Sequence, residues 1–221
     1  MSGSTQPWGA REARVERIIT RGDFTLDGQS FDVENNVWLI GDDREVLVVD
    51  AAHDPAVIAA AIGARRVSLI VATHGHNDHI NAASELAERV DAPIALHPDD
   101  TMLWETIYPS RPPERKLHDG ETLPVVGGTV TVLHTPGHSP GGICLTGRIG
   151  GASVLFSGDT LFRGGPGATG RSFSDFPTIL RSIRTKLFSL PSETVVHPGH
   201  GDDTSIGAEA LDYDDWVARG H

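Results

Sequence analysis

The segment Thr73-His74-Gly75-His76-Asn77-Asp78-His79 puts three imidazoles and a carboxylate within six residues. Neutral imidazole and carboxylate are the usual ligands of zinc, iron and manganese, so this spacing points to metal chemistry. Three further segments each supply one candidate ligand after an apolar run. His138 sits in Thr135-Pro136-Gly137-His138-Ser139-Pro140-Gly141-Gly142, His200 in His197-Pro198-Gly199-His200-Gly201, and Asp159 in Phe156-Ser157-Gly158-Asp159-Thr160. A bare carboxylate directly after an apolar strand is costly to bury, which favours Asp159 as a partner of a cation. The donors outnumber what one tetrahedral ion needs. His74, His76 and His138 suit one ion and Asp78, His79 and His200 a second, with Asp159 between them. Two divalent ions are therefore expected, zinc first, with iron or manganese as alternatives. Both donor types ligate only when deprotonated, so affinity should fall in acid. Asp50, at the end of the run Val46 to Val49, is expected to fix the tautomer of a ligand histidine. His134 and His197 lie close enough in sequence to ligands for similar supporting roles. His53, His97, His118 and His221 read as ordinary histidines.

Positioning these groups requires elements that end together. Asp50, His74, His138, Asp159 and His200 each fall at or within five residues of the C-terminal end of an apolar run, where ligand sites of α/β sheets gather. Strands are predicted at Val46 to Val49, Val67 to Val71, Pro93 to Leu96, Val130 to Leu133, Ser153 to Phe156 and Thr194 to Val196. A helix over Ala56 to Ile62 is announced by Asp54-Pro55 and closed by Gly63. A second starts near Asp78 with Ile80, Ala83, Ala87 and Val90 as its apolar stripe, and a third runs from about Asp175 to Leu190. The order is α/β throughout. A flexible lead-in over residues 1–12 followed by one layered domain over 13–221 is expected.

Composition narrows the partners. Thirty acidic residues against 18 Lys and Arg give a formal charge of −12, which repels phosphate backbones and anionic membrane surfaces. A small-molecule substrate is expected rather than nucleic acid or membrane. The one cysteine, Cys144, rules out an internal disulfide framework and a thiolate-rich metal site, pointing to a reducing, cytoplasmic setting. No run of 18 apolar residues is present, and the opening MSGSTQPWGA has neither a basic n-region nor an apolar h-region, so no span or signal peptide is expected.

In order and spacing, THGHNDH, TPGHSPG, FSGDTLF and HPGHG resemble the metallo-β-lactamase superfamily, nearest its glyoxalase II branch. The likeness covers residues 14–212 and includes GDTLFRGG, Gly170-Arg171 and HPGHGDDTSIGAE. It implies an αββα sandwich with the metals at one edge of two sheets. It also implies a hydrolase in which a metal-bridging hydroxide, oriented by Asp78 and Asp159 as catalytic ligands, attacks the carbonyl of a small thiol conjugate. A thiolate leaves with a pKa of about 8.5, so no strong general acid is required. The loop Arg163 to Arg171 differs from the glutathione-binding loop of that branch, and Arg163 and Arg171 on it are candidates for gripping a substrate carboxylate. Asp159 stands where many dizinc lactamases carry Cys, which favours thioesters or related esters over penicillin-type amides. The resemblance leaves as rivals a persulfide dioxygenase with a single iron on His74, His138 and Asp159, a lactone hydrolase, and a non-catalytic metal-binding protein.

Overall fold

The computed structural model describes residues 12–220. The lead-in expected over 1–12 lies outside these residues except for Glu12, and so does His221. The longest strands are the first two, β1 (Arg14–Leu26) and β2 (Gln29–Gly41). They pair antiparallel from Arg14↔Gly41 to Leu26↔Gln29, leaving Asp27-Gly28 as a two-residue turn. Both turn residues have positive φ, 52° and 74°, the conformation that the Asp-Gly pair supplies in twisted hairpins. Strand β3 (Glu45–Val49) returns antiparallel to β2. Strands β4 (Arg66–Val71), β5 (Ile94–Leu96) and β6 (Arg115–Lys116) then add parallel, completing a six-stranded sheet.

The second half of the chain repeats the solution with a second six-stranded sheet. Strands β7 (Thr122–Val125), β8 (Gly128–His134), β9 (Ile143–Ile149) and β10 (Ala152–Gly158) form an antiparallel meander. A small ribbon, β11 (Leu161–Phe162) with β12 (Gly165–Pro166), follows it. Strand β13 (Val195–Pro198) then lies parallel to β10, with β14 (Thr204–Ser205) outside it.

Alternation along the strands decides which residues face which layer. Trp38, Ile40, Leu47, Val49 and Val71 meet Leu123, Val130, Val132, Leu145 and Phe156 between the sheets. Their neighbours Val37, Leu39, Val46, Val48 and Ile70 point outward and are covered by helices α1 (Pro55–Ile62), α2 (Asn77–Ile80), α3 (Ala83–Val90) and α4 (Thr101–Ile107). The far face of the second sheet, with Cys144, Leu155 and Val196, is covered by α5 (Phe176–Ser182), α6 (Ile206–Ala210) and α7 (Tyr213–Arg219). The layers run helix, sheet, sheet, helix, the expected αββα sandwich.

Helix α1 is capped as predicted: the Asp54 carboxylate accepts from the N–H groups of Ala56 and Val57 at 2.9 and 3.0 Å. The second predicted helix is two helices. Its ladder breaks at Ala82, whose N–H donates to the Ala51 carbonyl at 3.1 Å instead. The third keeps α-helical spacing only to Ser182 and continues as a wider π turn over Ile183–Leu187. All six predicted strands are present, each within two residues of the predicted ends, and the long β1–β2 hairpin adds to them.

Candidate metal centre

The C-terminal ends of β3, β4, β10 and β13 open onto one edge of the sandwich, and the loop between β8 and β9 reaches the same edge. There His74 Nε2 and His138 Nε2 each lie 3.0 Å from His76 Nδ1. Beside them His79 Nε2, His200 Nε2 and Asp78 Oδ2 form a triangle with sides of 3.2, 3.3 and 3.5 Å. Asp159 stands between the two sets. Its Oδ1 is 3.2 Å from His79 Nε2, and its Oδ2 is 3.4 Å from His200 Nε2 and 3.5 Å from His138 Nε2. All seven residues singled out from the sequence are thus brought together.

The outward ring nitrogens explain why the inner ones converge. His138 Nδ1–H donates to the Ala168 carbonyl at 2.8 Å and His200 Nδ1–H to the Glu34 carbonyl at 2.6 Å. His79 Nδ1–H donates to Asp50 Oδ2 at 2.9 Å. The Thr73 hydroxyl donates to Asp50 at 2.8 Å and so is left to accept from His74 Nδ1–H at 3.1 Å. Each of these four rings spends one nitrogen on a fixed acceptor and aims Nε2 inward, the arrangement that outer partners impose on metal-ligating histidine. Asp50 holds Thr73 and His79 at once, the location foreseen for it; it adopts φ 57° to do so.

The interior of this cluster is polar beyond what protein groups satisfy. His76 Nε2, Asp78 Oδ1 and Asp159 Oδ1 are buried and make no hydrogen bond. Burial and the neighbouring His138 push the His76 imidazole down to about 3, and burial with His79 and His76 pushes His74 well below the usual range. On the other side burial opposes charge but loses to the carboxylates. Asp159 and Asp78 push His200 up to about 10, and Asp159, Asp78 and Asp50 push His79 well above its usual range. Burial likewise raises Asp78, but His79 and His200 outweigh it and bring its carboxyl down to about 2. Without a cation, protons on the His79 and His200 side compensate the carboxylates; a divalent ion does the same work better. Three groups of donors within reach of a common ion, His74-His76-His138, His74-His79-Asp159 and Asp78-His79-His200, fit a dinuclear site.

A sequence model of the Metallo-beta-lactamase superfamily matches residues 31–200. The chain belongs to the metallo-beta-lactamase superfamily. Within it the chain is 32% identical over 192 residues to the hydroxyacylglutathione hydrolase GloC of Haemophilus influenzae, covering 80% of this chain and 90% of that one. Among solved structures, TTHA1623 in a di-iron-bound form superposes with a TM-score of 0.69 at 33% identity, over 80% of this chain and 93% of the other. The B3 metallo-beta-lactamase BLEG-1 superposes with a TM-score of 0.72 at 27% identity, over 88% and 97%. As a superfamily member the chain has the fold of a metal-dependent hydrolase with a divalent-metal site.

A cavity of about 460 Å³ opens over the cluster, walled by Phe24, Val33, Phe162, Ala168 and Arg163 and floored by Asp78, His138, Asp159 and His200. Phe24 comes from β1, whose end is tied to α2 by Asn77: its side chain accepts from Thr25 N–H at 2.8 Å and donates to the Asp23 carbonyl at 2.7 Å. The guanidinium of Arg163 donates to the Asp203 carbonyl at 3.1 and 2.6 Å. Arg171 does not line the cavity. It stacks over Phe31 and Phe24 at 4.7 and 5.7 Å and donates to Gln29 Oε1 at 3.3 Å. His134 donates to the Pro140 carbonyl at 2.9 Å, inside the loop that carries His138. His197 packs between Trp38 and Phe156, with ring centroids 4.6 and 5.1 Å away.

Three residues at the site carried no recognisable sequence signal. Asp100 is fully buried and accepts from Gly75 N–H at 2.8 Å, Ser139 Oγ–H at 2.7 Å and Gly141 N–H, tying the His74–His79 segment to the His138 loop. Asn35 and His53 form a chain of hydrogen bonds into the Asp78–His79–His200 triangle.

Proposed function

We propose that the chain is a dinuclear metallo-hydrolase of small-molecule thioesters, with residues 13–221 as its catalytic domain. His74, His76 and His138 would hold one ion and Asp78, His79 and His200 the other, with Asp159, which stands between the two sets, available to both. The observation that carries this reading is the set of four histidines whose Nδ1–H groups are spent on fixed acceptors while Nε2 points inward toward unpartnered carboxylate oxygens. Zinc is the proposed metal, since an imidazole-rich site without thiolate suits it. A pair of such ions supplies an activated water at neutral pH and polarises an acyl carbonyl. Asp78 and Asp159, on the cavity floor, would orient a water there, and the walls Phe24, Val33 and Phe162 would shelter an apolar acyl or thiol portion. The described residues lining the cavity include no lysine or tyrosine, which suits a leaving thiolate that needs no proton more than a leaving amine that does. Arg163, at the rim, is the proposed contact for a substrate carboxylate; Arg171 acts on the cavity through the ring of Phe24. Cys144 is buried and unpaired, in keeping with a cytoplasmic setting.

Metal analysis of the purified protein, beside an assay with S-lactoyl thioesters of several low-molecular-weight thiols, tests the reading. Two ions per chain and chelator-sensitive thioester cleavage are expected. Asp78→Ala should lower the content toward one ion and the turnover by orders of magnitude. Two ions retained with normal turnover would sink the ligand assignment. About one iron per chain, together with oxygen uptake on a thiol persulfide, would replace hydrolysis with persulfide oxidation.

A further inference from the structure

Asn35 sits on β2, fully buried, with its side-chain nitrogen 3.0 Å from Asp78 Oδ2, 3.3 Å from His79 Nε2 and 3.5 Å from His200 Nε2. These are the three donor atoms of one half of the proposed metal centre, and among the described residues Asn35 is the one amide side chain that reaches all three. The sense of the amide is fixed from outside. The backbone N–H of His53 can only donate, and it donates to Asn81 Oδ1 at 2.6 Å. The Asn81 side chain therefore presents its NH₂ to His53 Nδ1, 3.0 Å away, and that nitrogen must accept. His53 then carries its proton on Nε2 and donates to Asn35 Oδ1 at 2.8 Å. Asn35 is left with only N–H groups to turn toward Asp78.

The chain of bonds closes on itself, because Asn81 is the residue that ends α2, the helix bearing Asp78 and His79. Holding it puts His53 at φ 60°, in the left-handed region that residues with a Cβ adopt only where their surroundings fix it. Gly22 makes room for the ring: a Cβ there would stand 2.3 Å from His53 Nδ1. The His74–His76–His138 set has no recorded contact with this chain of bonds.

We infer that Asn35, oriented by His53 and Asn81, is a positioning residue for the Asp78–His79–His200 position alone, so that it sets the affinity of the second ion and leaves the first untouched. A neutral donor is the fitting group there. It fixes Asp78 Oδ2 within the triangle without adding a further anion to a site that already holds Asp78 and Asp159. Outer partners of this kind are worth about 10- to 100-fold in metal affinity. The inference rests on the dinuclear reading and adds to it a division of labour.

Zinc titration of the metal-stripped full chain, in competition with a chromophoric chelator, reads both affinities separately. In Asn35→Ala the second zinc should bind about 10- to 100-fold more weakly, with the first unchanged. His53→Ala should do the same to a smaller degree, and should add nothing on the Asn35→Ala background, because both act through one chain of bonds. Gly22→Ala, whose added Cβ has three atoms of the His53 ring as its nearest neighbours, should displace that ring and reproduce the His53→Ala result. It carries the test if Asn35→Ala does not fold. Unchanged second-zinc affinity in the folded variants, equal weakening of both ions, or simple additivity of Asn35→Ala and His53→Ala would overturn the inference. A wild-type chain that binds only one zinc would instead overturn the dinuclear reading itself.

Discussion

Side chains at this site divide by how far away their partners are in sequence. His74, His76, Asp78 and His79 are legible because a ligand cluster within six residues needs no tertiary information to be recognised. Asn35 gives no such signal: its partner Asp78 is 43 residues away, and its local context of β-strand residues is unremarkable. His53 reads as an ordinary histidine for the same reason, because its task is created by Asn35 and Asn81, 18 and 28 residues distant. His97 is a different case, an imidazole outside the seven-residue cluster that links stability to pH. It stacks on His134 at 4.0 Å with the rings 12° apart, and burial, then His134, push it down to about 4. The unfolded chain, with an ordinary histidine near 6.5, takes up this proton before the folded chain does. The contribution of His97 is complete above pH about 6.5 and is lost as pH falls toward about 4. In metal-stripped protein, His97→Phe should therefore show a smaller drop in urea midpoint between pH 7 and pH 5 than the unaltered chain. Identical drops would assign the acid sensitivity to other groups.

Elements place these side chains through their ends, and the ends are held by groups that belong to other elements. The strands were readable from short β-branched runs because both faces of the inner strands are buried and the runs are apolar throughout. The β1–β2 hairpin escaped such a reading. Its outer portion alternates, with Asp23, Thr25, Asp32 and Glu34 on one face and Phe24, Phe31 and Val33 on the other, so it forms no continuous apolar run, and the plainer signal is the Asp27-Gly28 turn. The break between α2 and α3 was hidden as well, since Ile80, Ala83 and Ala87 keep one stripe across it while the ladder itself is diverted to Ala51. Asp100 shows how loops become rigid. It joins Gly75 to Ser139 and Gly141 across 25, 39 and 41 residues, and glycine is required at the close approach: a Cβ on Gly141 would meet Asp100 N at 2.6 Å. Asp100→Ala would leave three buried donors without an acceptor and should destabilise the fold by roughly 3 kcal/mol, measured by urea unfolding, with weakened binding of the first zinc. A loss under about 0.5 kcal/mol, the range of an ordinary surface change, would show that the two loops hold their places without it.

The molecule as a whole spans its metal centre across both sheets. His74, His76, Asp78 and His79 follow β4 of the first sheet, whereas His138, Asp159 and His200 follow β8, β10 and β13 of the second. Ions bound to such a set bind the folded chain and not the unfolded one, so they add stability by mass action, about 4 kcal/mol per site at a thousandfold excess over Kd. Stripping the metals should lower Tm by roughly 8–16 °C per site for a chain of this length, with recovery on adding zinc back. No shift on chelation would mean that the sheets are locked without the ions. The αββα layering is legible only through the family resemblance that the motifs carry, while the pairing of β13 beside β10 has no local cue, because the partners Leu155 and Val196 lie far apart in the chain.

That pairing has a consequence during biosynthesis. Until β13 arrives, the edge of β10 exposes unpaired N–H and C=O groups beside the loop of Asp159, an invitation to pair with another chain. At ribosomal rates of about 5–20 residues per second, the gap lasts about 2–8 s. During it the nascent chain already presents most of its imidazoles but lacks His200. On the proposed ligand set, His200 arrives with the same strand that covers this edge, so protection of the β10 edge and completion of the Asp78–His79–His200 triangle coincide in synthesis.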